Sequence, residues 1–175
     1  MKYLLMLYCF FLVSQSPLWA QENISGRWTG MLYQEAGGLG SEYVFTLDLL
    51  QKGNKITGIS QVELSSTVTG KMEVVGELNG MLFTYYEPRI IRETGITDTT
   101  AWCLKKCQLY LSRRGDRLYL KGRWSGESSK FGYCSPGTIE LSKKVAPLVE
   151  KIPPITIKEE EVDTKETVLN FRLKV

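Results

Sequence analysis

Among its 175 residues the chain has no histidine. That excludes Ser-His-Asp and Cys-His activation of a nucleophile, and it removes the usual histidine-bearing zinc sites. Cysteine is scarce as well. Of the four present, Cys9 lies in the apolar opening run, which leaves Cys103, Cys107 and Cys134. Three cysteines cannot complete a four-cysteine metal site, so neither a metal nor a cofactor is expected. Charge of one sign is not in large excess, with 22 basic residues against 19 acidic. A dedicated nucleic-acid binder needs more than that to neutralise phosphates. After residue 20 no apolar run is long enough to span a bilayer. Finally, nothing between Ile24 and Ser142 sustains a helical period.

What is present begins with "MKYLLMLYCFFLVSQSPLWA". A basic start, an apolar run over Tyr3–Val13 and a polar end at Ala20 read as a secretory signal peptide over 1–20. A signal anchor is the alternative. Cys9 has no small residue before it, which argues against a lipoprotein anchor. A secreted or periplasmic, cell-envelope location follows as an expectation. There an oxidising environment favours one disulfide, with one thiol left over.

From Ile24 to Lys143 short runs rich in Val, Ile, Thr, Tyr, Phe and Trp alternate with period two. Eight are predicted, over 24–34, 42–52, 55–64, 69–78, 81–87, 102–112, 117–126 and 137–143. In "EYVFTLDLL" the residues Tyr43, Phe45, Leu47 and Leu49 share one face. Three connections are tight: "KGN" at Lys52–Asn54, "NG" at Asn79–Gly80 and "RRGD" at Arg113–Asp116. Gly and Asn tolerate the positive φ that short hairpins need, and this explains "RGD" better than integrin recognition does. The alternate connections, over 35–41, 88–101 and 127–137, are long. One end is thus sealed and the other elaborate. An all-β, eight-stranded antiparallel up-and-down barrel over 21–143 satisfies this pattern, since closure removes exposed edges. A sandwich is the alternative. Residues 144–175 read as a proline-bearing linker and an extended C-terminal tail, with one possible strand in "TVLNFRLKV".

The opening "ISGRWTG" resembles the Gly-x-Trp start of the calycin superfamily, which comprises lipocalins, fatty-acid-binding proteins and avidins. The strand layout of 24–143 is similar to theirs, and to lipocalin-like domains of secreted bacterial envelope proteins. The resemblance implies a ligand cup in the barrel and no catalysis in most members.

"SGRWTG" at Ser25–Gly30 returns as "KGRWSG" at Lys121–Gly126. Alternation puts Trp28 and Trp124 inside and Arg27 and Arg123 outside. Gly26 and Gly30 are expected in the core, making room beside the indole and letting the strand coil. Strand direction places Trp28 near the sealed base as a core plug and Trp124 near the open mouth. One structural device is therefore used at two depths.

Cys103 and Cys134 both fall at the loop-bearing end, so they are expected to pair. Cys107 lies about 13 Å further down its strand at the usual rise and is expected as a buried apolar filler. The favoured function is binding of a small, largely apolar ligand at the open end. Trp124, Phe131 and Tyr133 would line the mouth, and Tyr43 and Phe45 the wall. The alternative is a non-catalytic structural or interaction module, with a fully packed barrel and an envelope protein as partner. No two carboxylates converge by pattern, so an enzyme is not expected.

Overall fold

The computed structural model describes residues 21–146. The leader over 1–20 and the tail strand lie outside the described residues. Nine strands form: β1 (Gly26–Gln34), β2 (Glu42–Lys52), β3 (Lys55–Glu63), β4 (Thr69–Asn79), β5 (Leu82–Tyr86), β6 (Ile90–Thr94), β7 (Leu104–Arg114), β8 (Arg117–Ser128) and β9 (Gly132–Lys144). All neighbours pair antiparallel in chain order, and β1 returns to β9. Eight strands therefore close into one up-and-down barrel, with β6 as an addition. The continuous β3–β4 register from Lys55↔Glu77 to Glu63↔Thr69 excludes a sandwich, in which that seam would be open.

Two predicted loops are partly strand. The 88–101 connection contains β6, which pairs with β4 over Thr69–Met72. Its cause is a length mismatch: β5 accompanies only Val75–Asn79 of β4, leaving the far half of β4 in need of a partner. The 127–137 connection is a hairpin, because β8 runs on to Ser128 and β9 starts at Gly132. A register shift between Trp124 and Gly126 absorbs the irregularity. A bulge of this kind increases local coil, which suits the rim of a barrel.

The sealed base carries the three hairpins predicted from sequence, with Gly53, Gly80 and Gly115 at φ of 63°, 60° and 59°. The segment before β1 closes it further. Ile24 is fully buried, and Glu22 meets Arg113 at 2.8 Å. Trp28 lies above, its Nε1 donating to Ile24 O at 2.8 Å. The Lys143 ammonium sits 5.0 Å from the Trp28 ring centroid and donates to Ser25 O at 2.6 Å. Burial lowers the pKa of that lysine.

Apolar side chains fill the barrel above the base. Phe45, Leu47, Ile56, Met72, Val74, Phe83, Leu109 and Ile139 have no exposed surface. Barrels of eight strands are narrow enough for their own side chains to occupy the interior. The glycines of the repeat serve backbone approach more than indole clearance. A Cβ on Gly30 would meet the Glu140 carbonyl, and one on Gly122 the Gln108 carbonyl. Gly26 lies outside the core, exposed, with φ 106°.

Candidate functional site

At the open end, the 35–41 loop, the 95–103 segment and the β8–β9 hairpin surround a cavity of about 450 Å³. Each wall is fixed by identifiable contacts. Tyr43 starts the inward row of β2, and its hydroxyl accepts from Gly40 N at 2.9 Å. That bond, with Gln34 Oε1 3.1 Å away, holds the 35–41 loop over the mouth. Burial raises the Tyr43 pKa, consistent with a neutral hydroxyl serving as a tether. Ser135 Oγ donates to Ala36 O at 2.6 Å, joining the loop to β9. On the opposite side Cys103 and Cys134 form a disulfide that ties the 95–103 segment to β9.

Trp124, Tyr43, Phe131 and Tyr133 all line this cavity. Trp124 is buried, with Nε1 donating to Tyr33 O at 2.9 Å. Phe131 and Tyr133 are rim residues, 56% and 82% exposed. Phe45 does not reach the cavity; it is fully buried. Over its ring, 5.4 Å from the centroid, lies the Lys105 ammonium. Cys107 is a free, buried thiol further down β7.

The cavity also has a wall and a floor that the sequence reading did not single out. Trp102 packs edge to face with Tyr43 at 6.2 Å. A Cβ on Gly70 would press on its indole at 3.1 Å, so the glycine makes room for this ring. Alternation along 102–112 would send Trp102 outward, as it does Leu104 and Lys106. But β7 begins only at Leu104, and the preceding residues fold inward across the mouth.

Beneath, Lys105 and Glu87 form an ion pair at 2.9 Å with side chains 3% and 0% exposed. Glu87 Oε1 accepts from Ser60 Oγ at 2.5 Å, and Oε2 also accepts from the Lys105 backbone N–H at 2.9 Å. Removing two charges from water costs several kcal/mol each unless partners replace the water, and here they do. This pair was legible in principle. Glu87 continues the inward row of Phe83 and Tyr85, and Lys105 heads the row of Cys107, Leu109 and Leu111. Both positions fall within the predicted strands over 81–87 and 102–112, but alternation gives a side chain's direction and not the residue it meets.

Deeper still, the buried Tyr85 hydroxyl has no hydrogen-bond partner among the described residues. Burial above all, with the Glu87 charge adding to it, pushes the Tyr85 pKa well up. Burial likewise raises that of the Cys107 thiol, with Glu87 adding to the effect. Both groups stay neutral, and a neutral thiol is a poor nucleophile. Among the described residues no cluster of three or more Cys, Asp or Glu could hold a metal ion. No helix among them is long and apolar enough to cross a membrane. Comparison with family models, with curated proteins and with solved structures finds no match to the chain.

Proposed function

We propose that the protein is a secreted or envelope-located, non-catalytic binding barrel that takes one small, largely apolar ligand in its mouth. The observation that carries the reading is the cavity of about 450 Å³ walled by Tyr43, Trp102, Trp124, Phe131 and Tyr133. Concave, aromatic-lined sites of some 300–1,000 Å³ are where small molecules bind. The disulfide is compatible with an oxidising compartment. The closed antiparallel barrel and the Gly-Arg-Trp opening support a lipocalin-like relationship. Here the ligand would sit above the packed interior, not deep within it, because apolar side chains occupy the barrel below.

Fluorescence titration with N-phenyl-1-naphthylamine tests this reading. Saturable binding is expected, weakened about thirtyfold by removing the two rim rings in Phe131→Ser/Tyr133→Ser, since stacked aromatics contribute about 1 kcal/mol each. Absence of saturable binding would leave the second reading, a packed interaction module. That reading is favoured by the filled interior, and it calls for an envelope protein as partner.

A further inference from the structure

We propose that the mouth cavity selects a small monoanion with an apolar body, of the aryl carboxylate kind, through the Lys105 ammonium. This rests on the mouth being a ligand site. Among the described residues Lys105 is the one charged residue in the cavity wall, and no carboxylate residue lines it. Glu87, the other half of the buried pair, stands behind the wall, and both its oxygens are occupied by Ser60 Oγ and the two Lys105 donors. Of the pair, Lys105 lines this cavity and Glu87 does not.

An ammonium has three protons to donate. One goes to Glu87 at 2.9 Å, and a second reaches Cys103 O only at 3.5 Å. Beyond those, the ammonium faces the Phe45 ring. An arriving anionic oxygen would replace the long bond with a short charge-assisted one. Trp102 belongs to the same wall: it is 6% exposed, and its indole N–H has no hydrogen-bond partner among the described residues. A buried donor without an acceptor is costly, and a carboxylate would relieve it. The aromatic rings of the walls suit the apolar body. Its size is limited, because Phe45, Met72 and Phe83 fill the barrel below and leave no channel for a long chain.

Isothermal titration of the full chain with 2-naphthoate and its neutral isostere 2-naphthamide tests the proposal. The carboxylate is expected to bind at least about tenfold tighter, the scale of one charge-assisted hydrogen bond. The double variant Glu87→Gln/Lys105→Met removes both charges together. It should lower the ratio to within about twofold. Should that variant not fold, spectra of the wild-type chain labelled with ¹⁵N-lysine decide. The Lys105 amine signal must shift with naphthoate and not with naphthamide. Equal affinities for the two probes, or a preference that survives in the folded double variant, would overturn the anion inference alone. Binding of neither probe would overturn the mouth site as well.

Discussion

Trp28 and Trp124 stand at opposite ends of the same barrel interior, each giving its indole N–H to a backbone carbonyl. Trp28 donates to Ile24 at the base, and Trp124 donates to Tyr33 at the mouth. The register explains the separation. Trp124 pairs with Gly137, and Gly137 with Gln34, the last residue of β1. The Gly-Arg-Trp repeat thus sets one device into two strands that run in the same direction but are staggered along the barrel.

Their energetic weights should differ. Trp28→Ala should cost about 3–5 kcal/mol, the range for truncating an enclosed aromatic. Trp124→Ala should cost less, because its ring borders a cavity and the gap can be reached by water. Urea melts of the two variants measure both. Equal losses would mean that Trp124 is as firmly packed as Trp28.

Gly122→Ala should destabilise by about 1–3 kcal/mol through overpacking. The added Cβ would meet the Gln108 carbonyl of β7, so a strand must move. An alanine at Gly126 meets the Leu104 carbonyl at 2.7 Å and should cost less. Thermal melts that ranked the two in the opposite order would contradict close strand approach as the role of Gly122.

Removing the Lys105 charge alone strands a buried carboxylate. Lys105→Met should therefore cost about 3–5 kcal/mol, and adding Glu87→Gln should recover much of it. A double-mutant cycle in urea gives the coupling between the two positions. If the single and double variants were equally unstable, the pair would not be acting as a unit.

Alkaline pH should expose the buried thiol energetically. The folded Cys107 pKa is raised above its ordinary 9.0. Above that value the unfolded chain loses the proton while the folded chain keeps it, so ionisation favours unfolding. The Cys107 contribution is thus fully present below pH 9 and lost as pH rises above it. Cys107→Ala should flatten this limb of the stability curve, read as urea midpoints between pH 8 and 10.5. An unchanged slope would mean the thiol already ionises in the folded state.

Opening the Cys103–Cys134 bridge should cost about 3–4 kcal/mol in the chain-entropy model, given a sequence separation of 31. The 95–103 segment should loosen first, since the bridge ties it to β9. Hydrogen exchange of Cys103→Ser/Cys134→Ser should show lost protection there, with the base hairpins unaffected. Uniform loss of protection would place the bridge's effect on the whole barrel instead.

Alternation and turn chemistry are local properties, so the sequence by itself determined the eight barrel strands, the tight base turns, the inward rows and the end at which the cysteines gather. Each follows from side chains pointing to opposite faces at every second residue, and from glycines at positive φ. Tertiary structure alone decided what those rows meet. β6 exists because β4 outruns β5, a mismatch visible only once the strands are paired. Trp102, just ahead of β7, turns inward against the predicted alternation, and Gly70 on the distant β4 makes room for its ring. Glu87, Ser60 and Lys105 converge because closure brings β3, β5 and the start of β7 to one level. Period two says which way a side chain points; only register and closure say which residue it reaches, because those contacts join positions far apart in the chain.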